Sequence, residues 1–81
     1  MRIDVRLFAQ ARERVGSAHA RLDLPDGSRV SDALAALEGI YPELSELRPH
    51  LAVAIDGALS RPADALSDGN ELSLLPPVSG G

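Results

Sequence analysis

VSDALAALEGIY, residues 30–41, is the stretch of sequence that decides how this chain folds. Its apolar residues recur at intervals of three and four, which predicts a helix with one apolar stripe. The stripe consists of Val30, Ala33, Leu34, Leu37 and Tyr41. Ser28 or Ser31 can cap the start of this helix, and Gly39 is a natural stop. A helix with one apolar stripe must bury it against another element, so the rest of the chain has to supply a sheet.

The segments on both sides of the helix alternate between apolar and polar residues, as half-buried strands do. The segments predicted as strands are residues 2–8, 18–24, 51–55, 58–60 and 71–75. Asp56-Gly57 is a strong hairpin signal, and Asp68-Gly69 predicts the turn before the last strand. Each strand therefore has a clear boundary in the sequence.

These elements predict an α+β roll. Two strands precede the main helix and three follow it, with a minor helix over residues 9–15. We expect the first and last strands to be central neighbours in a mixed sheet of four to five strands, covered by one main helix. Residues 1–75 are predicted to form this domain, and residues 76–81 a flexible tail.

The composition excludes several classes of function. The 81 residues suit a single domain, contain no cysteine and carry a net charge of −4. A thiol nucleophile, a disulfide and a cysteine-based zinc site are therefore excluded. No segment is long and apolar enough to cross a membrane, so we expect a soluble, cytoplasmic protein. An acidic chain whose aromatic residues are Phe8 and Tyr41 is a poor match for nucleic acid.

All eight cationic side chains are arginines. Without lysine, no side-chain amine of the chain can accept an isopeptide bond. The net charge of −4 favours a partner with a basic patch. Because salt screens such attraction, we expect association to weaken as salt is added.

The polar residues form no recognisable catalytic or metal-binding motif. His19 and His50 lack the spacing of metal ligands, so we expect surface histidines and no metal site. No serine lies in a GxSxG context, and neither a GxGxxG loop nor a Walker lysine is present. The end of the sequence is the remaining candidate.

The sequence ends in PPVSGG, residues 76–81. Prolines lack an N–H group, so this pair stops the last strand and favours an extended conformation. Six residues at about 3.3 Å each reach up to about 20 Å, and glycines enter channels too narrow for other residues. The carboxylate of Gly81 is the predicted reactive group. The residues predicted to insert into a partner are Pro76, Pro77, Val78, Ser79 and Gly80. A frayed end and a cloning remnant are the alternatives.

Leu75 and Phe8 are large apolar residues with outward parity on neighbouring strands. Single exposed apolar residues are common and need no function. Two of them beside a functional tail form a patch of the kind that marks an interface. Both interpretations remain open from the sequence.

Two segments, LFAQARERVG at residues 7–16 and LSDGNELSLLPPVSGG at residues 66–81, carry a resemblance to a known family. The chain resembles the small, sulfur-carrier subunit of molybdopterin synthase, a MoaD/ThiS-like family related to ubiquitin. The resemblance extends over the whole chain and implies the ubiquitin-like β-grasp fold.

The resemblance also implies a function as a non-catalytic sulfur carrier. An ATP-dependent enzyme adenylates the carboxylate of Gly81, and sulfur displaces AMP to leave a thiocarboxylate. The tail then enters the large synthase subunit, which holds the catalytic residues, and sulfur passes to a cyclic pyranopterin phosphate. The implied partners are that subunit, in a heterotetramer, and the adenylating enzyme, with no stably bound cofactor. The implied partner surface includes Phe8, Leu59 and Leu75, and for Leu59 the resemblance is the only argument.

The chain departs from the family pattern at Asp56, where Asn is frequent, and at Asn70, where Asp is commoner. Both positions lie in turns, where Asp and Asn substitute readily. Three other functions remain open: a carrier for another pathway such as thiamine synthesis, a ubiquitin-like protein modifier, and an interaction domain with an inert tail.

Overall fold

The computed structural model describes residues 1–77 and contains, within that range, five strands and two α-helices. The strands are β1 (Arg2–Leu7), β2 (His19–Asp23), β3 (Ala52–Ile55), β4 (Ala58–Leu59) and β5 (Glu71–Leu75). The helices are α1 (Ala9–Val15) and α2 (Val30–Ile40), and short 3-10 turns at Pro42–Leu44 and Arg48–His50 follow α2. Each predicted strand and helix is present, with bounds within about one residue of those expected.

The strands form one mixed sheet in the order β2-β1-β5-β3-β4. β1 and β5 run parallel, and the other neighbouring pairs are antiparallel. The prediction that the first and last strands are central neighbours is therefore confirmed. The predicted α+β class is confirmed as well, since this sheet is covered by one main helix.

The core lies between α2 and one face of the sheet. The apolar stripe of α2 is buried against side chains of β1 and β5 that are at most 1% exposed: Ile3, Val5, Leu7, Leu72 and Leu74. Burying each such side chain contributes roughly 1.5–3 kcal/mol, so this contact holds the small domain together.

The predicted serine cap of α2 is wrong, because backbone carbonyls already satisfy the start of this helix. The N–H groups of Val30 and Ser31 donate to the carbonyls of Asp64 and Pro62 in the loop before β5. The hydroxyl of Ser28 instead donates to the Pro25 carbonyl at 2.7 Å and closes the preceding turn. A loop distant in sequence has replaced the local cap.

The predicted stop at Gly39 is also wrong, since α2 continues through this residue to Ile40. Pro42 ends the helix instead. A proline disfavours helical geometry in the residue before it, and Tyr41 has left that geometry with φ −123° and ψ 81°.

Candidate functional site

The face of the sheet that α2 leaves uncovered is the candidate site, and we call it the open face. Strand pairing defines which side chains it carries, because residues directly opposite each other point to the same side. Arg6 lies opposite Ser73, which lies opposite Ala54, and Ala54 lies opposite Leu59. This row crosses the face from β1 to β4.

The half of the open face formed by β1, β2 and the start of β5 is charged but balanced. Its charged members are Arg2, Asp4, Arg6, Arg21, Asp23 and Glu71. The Arg21 side chain donates to the Asp4 carboxylate at 3.2 Å, and Arg6 lies 4.0 Å from Glu71. Since three arginines face three carboxylates, the excess negative charge of the chain lies elsewhere on the molecule.

The other half of the open face is apolar, and we call it the apolar patch. It consists of Phe8, Ala52, Ala54, Leu59 and Leu75. Leu59 is 68% exposed, Phe8, Ala52 and Leu75 are half-buried, and Ala54 is buried beneath them at 4% exposed. The structure thus brings the three residues of the predicted partner surface onto one face.

The position of Phe8 is set by a sharp turn of the backbone after β1. Its N–H donates to the Leu74 carbonyl at 3.2 Å, which keeps the residue beside β5. The next residue, Ala9, has φ 48°, a conformation that costs a non-glycine residue about 1–3 kcal/mol. The guanidinium of Arg6 lies 5.4 Å from the centre of the Phe8 ring and holds that ring against the open face.

The position of Leu59 is set by the hairpin between β3 and β4. Asp56 and Gly57 both have positive φ, 48° and 84°, as a two-residue type I′ turn requires. This turn pairs Ile55 with Ala58 and therefore Ala54 with Leu59. The sequence contained a signal for the position of Leu59. A two-residue turn at Asp56-Gly57 places Leu59 opposite Ala54, and therefore on the same side of the sheet as Ala54.

The two departures from the family pattern, Asp56 and Asn70, contact each other. The Asn70 side-chain amide donates to one carboxylate oxygen of Asp56 at 2.7 Å, and the Glu71 N–H donates to the other at 2.8 Å. The side-chain oxygen of Asn70 accepts the Ser67 N–H at 2.6 Å. If Asn stood at position 56 and Asp at position 70, the side-chain amide at 56 would donate to the carboxylate at 70, so the hydrogen bond would be kept.

We therefore expect N70D to destabilise the fold by about 1 kcal/mol, because two carboxylates then meet across this contact. The double variant D56N/N70D restores most of the loss, since donor and acceptor are exchanged. Urea unfolding of the wild type, both single variants and the double variant measures the coupling. Additive effects of the two substitutions would contradict the contact.

The tail begins beside the apolar patch. Leu75, the last residue of β5, pairs with Ala52, and Pro76 and Pro77 follow in exposed positions. The predicted end of the strand at the prolines is confirmed. The remaining predicted tail residues, Val78, Ser79, Gly80 and Gly81, lie outside the described residues, so their insertion and the reactivity of Gly81 stay predictions.

An apolar cleft of about 420 Å³ lies between α2 and β3, and Ala52 and Leu59 of the apolar patch are among its lining residues. Its walls include core leucines, and the side chains of Arg48 and Glu38 pair at 2.8 Å among its lining residues. The charge pair is self-satisfied, and the hydroxyl of Ser60, which also lines the cleft, donates to a backbone carbonyl at 3.1 Å. We therefore do not assign the chemistry of this chain to the cleft.

The remainder of residues 1–77 offers little other chemistry. His19 and His50 are exposed, as predicted. No group of three or more potential metal ligands is found in this part of the chain. Among the same residues, no helix is long and apolar enough to cross a membrane.

Comparison with known proteins gives relatives of two kinds. The chain is 36% identical over 83 residues to the molybdopterin synthase sulfur carrier subunit of Chlamydomonas reinhardtii, covering 100% of both chains. It is 39% identical over 84 residues to small archaeal modifier protein 1 of Haloferax volcanii, covering 94% of this chain and 97% of that protein.

Solved structures of both kinds share the fold. A crystal structure of the Haloferax volcanii modifier protein matches with a TM-score of 0.88 at 36% identity, covering 100% of both chains. A chain from the protein–protein complex of subunits 1 and 2 of molybdopterin-converting factor from Helicobacter pylori matches with a TM-score of 0.69 at 28% identity, again covering 100% of both.

The sheet order, the single covering helix and these structures define a ubiquitin-like β-grasp protein of the sulfur-carrier type. The ThiS family matches residues 5–81, and the chain belongs to that family. The resemblance inferred from LFAQARERVG and the C-terminal segment is therefore confirmed.

Proposed function

We propose that this chain is the sulfur-carrier subunit of a molybdopterin synthase. Its Gly81 carboxylate is adenylated by an ATP-dependent enzyme and converted to a thiocarboxylate. The tail, Pro76 to Gly81, then enters the large subunit and gives its sulfur to a cyclic pyranopterin phosphate. The carrier itself binds no stable cofactor, and the catalytic residues belong to the large subunit.

The observation that carries this proposal is the apolar patch at the base of the tail. A partner that covers Phe8, Leu59 and Leu75 is held at the point where β5 gives way to the prolines. Docking on this patch restricts where the tail can go, which raises the effective concentration of its end in the partner's active site.

The chemistry needs activation because a carboxylate is a poor electrophile. Adenylation gives the carbonyl carbon of Gly81 a leaving group, and sulfur then replaces AMP. A thiocarboxylate carries sulfur without a cysteine, in keeping with a chain that has none.

The proposed main partner is the large subunit of the synthase, in a heterotetramer. The Helicobacter pylori relative is described as a complex of subunits 1 and 2, which supports an assembly of this kind. The proposed second partner is the adenylating enzyme.

The test is intact mass spectrometry of the purified chain after incubation with an adenylating enzyme, ATP and a sulfur donor. We expect one exchange of oxygen for sulfur, followed by dithiolene synthesis when the large subunit and the pterin substrate are added. A thiocarboxylate that supports thiamine synthesis but not dithiolene formation would assign the chain to the other carrier pathway.

Association with the large subunit is expected to depend only weakly on salt. The sequence predicted salt-sensitive binding from the net charge of −4, but the carboxylates of the open face are matched by arginines. We expect the dissociation constant, measured by calorimetry, to change less than about threefold between about 0.05 and 0.5 M salt. A tenfold weakening would locate the interface on the acidic remainder of the surface.

A second candidate function, protein modification, is favoured by the 39% identity to an archaeal modifier protein. It uses the same glycine end and the same activation, but the acceptor is an amine of another protein. Isolation of conjugates from cells and sequencing of their branched peptides separates the two functions. Gly81 joined to target lysines supports modification, and unmodified cell protein with intact dithiolene synthesis supports the carrier.

A further inference from the structure

The chain has almost no groups able to form a lasting amide bond with an activated carboxyl group. None of its 81 residues is a lysine or a cysteine, and its eight cationic side chains are all arginines. An arginine guanidinium stays protonated at neutral pH and its nitrogen lone pairs are delocalised, so they are not available as nucleophiles. This matters because the proposed function exposes such a carboxyl group to other copies of the chain.

The ammonium group of Met1, the primary amine among the described residues, is partly buried and held by two contacts. It donates to the Leu24 carbonyl at 2.6 Å and lies 3.7 Å from the Asp26 carboxylate. The Met1 side chain is 4% exposed, and the Met1 carbonyl accepts the Leu24 N–H at 2.9 Å. To attack an activated carboxyl group, this nitrogen must lose a proton and turn its lone pair toward solvent. That movement breaks its contacts with the Leu24 carbonyl and the Asp26 carboxylate.

The sheet also keeps this amine away from the tail of its own chain. β1 and β5 are parallel neighbours, so the start of β1 and the end of β5 lie at opposite ends of the strands. A strand of six residues spans about 20 Å, which is the full reach of the six-residue tail. Cyclisation through Met1 therefore needs a fully extended tail as well as loss of the contacts of the amine.

Several hydroxyl groups of the described residues are also occupied. Four serine hydroxyls each donate to a backbone carbonyl within about 3.1 Å, those of Ser17, Ser28, Ser45 and Ser60. Lysine amines and cysteine thiols are thus missing from the chain, and the Met1 amine is held in contacts with Leu24 and Asp26.

We infer that this chain is an acyl donor only, whose activated end forms no amide bond with a side chain of another copy. The inference rests on the proposed activation of Gly81. In the reaction that is avoided, an amine attacks the carbonyl carbon of the acyl adenylate. The C–N bond forms, the C–O bond to AMP breaks with its electron pair leaving on AMP, and the amine proton passes to water.

The consequence differs between the two candidate functions. A sulfur carrier keeps its adenylate intact until an external sulfur nucleophile arrives. A protein modifier of this sequence attaches as a single unit to each acceptor amine, because an attached copy offers no lysine for the next.

The experiment introduces a nucleophile where the native chain has none. Arg12 and Arg61 are exposed, and R12K and R61K keep the positive charge while adding an amine. Wild type and variants are each incubated with an adenylating enzyme and ATP, without a sulfur donor. Pyrophosphate release reports activation, and denaturing gels with intact mass report amide-linked products.

We expect equal pyrophosphate burst amplitudes for all three proteins. Amide-linked dimers, or cyclised chains lighter by one water, should appear in the lysine variants and stay below detection in wild type. Amide-linked wild-type multimers would overturn the inference, as would lysine variants that are activated yet stay unlinked. A lack of pyrophosphate release from wild type would instead contradict the proposed function, so the two failures are distinguishable.

Discussion

Deletion of Gly81 is expected to abolish sulfur transfer while the domain stays folded. Without this residue the reactive carboxyl group retreats by about 3.3–3.6 Å along the tail. A misplacement of about 1 Å at a reacting centre costs as much as about 100-fold in rate, so a loss of at least that size follows. The fold is not expected to change, because the core is complete by Leu74.

The measurement is the rate of thiocarboxylate formation, followed by dithiolene synthesis with the large subunit. S79A is the matched control, since it alters one tail side chain but keeps the length and both glycines. We expect S79A to stay within about threefold of wild type, and both variants to melt at the wild-type temperature. Undiminished dithiolene synthesis by the deletion variant would remove Gly81 from the mechanism and make the tail inert.

Replacement of Leu59 by aspartate is expected to weaken binding of the large subunit by about 30-fold or more. Truncating a central interface residue typically costs 2–4 kcal/mol, and a carboxylate placed in an apolar contact adds its own desolvation cost. Leu59 is 68% exposed in the free chain, so the substitution removes little packing from the domain. Titration calorimetry with the purified large subunit gives the dissociation constant.

The structure supplies a matched control for this experiment in Ile40. It is the second large apolar residue with high exposure among residues 1–77, at 57%, but it lies at the end of α2 and not on the open face. I40D therefore makes the same kind of change away from the patch, and its affinity should stay near that of wild type. Equal weakening by I40D and L59D would mean that the partner binds the helix side, and no weakening by L59D would exclude the patch.

The two experiments test separate steps of one proposal. L59D acts on recognition of the domain, so excess large subunit should recover its activity. Deletion of Gly81 acts on the chemical step and leaves the apolar patch intact, so the shortened carrier should compete with wild type for the large subunit. A carrier that docks through its domain and reacts through its tail shows both patterns.

Much of the fold follows from patterns that are local in the sequence. The three- and four-residue spacing in α2 identifies its buried stripe, because helical geometry alone brings those positions to one side. Alternation identifies the strands for the same reason, and Asp56-Gly57 identifies the hairpin because few residue pairs adopt two positive φ angles. The two prolines likewise mark the end of β5.

The wrong serine cap arose where distant segments decide. The start of α2 needs no serine cap because Pro62 and Asp64, more than 30 positions away, accept its N–H groups. The two expectations for salt have a similar origin: the charge of the whole chain predicts salt-sensitive binding, whereas pairing of β1 with β2 and β5 sets arginines against carboxylates on the open face and predicts weak dependence on salt. The binding measurement decides between them. Composition carries no information about which charges become neighbours.

The sequence by itself determined the strands, the helices, the buried stripe and a tail with one candidate reactive group. Only the tertiary structure decided that Phe8, Leu59 and Leu75 share one face at the base of that tail, and that Asp56 and Asn70 are partners. The physical reason is the distance along the chain over which each kind of constraint acts. Backbone geometry fixes the neighbours of a residue within one turn or one strand, whereas contacts between strands far apart in the chain depend on how the whole sheet is ordered.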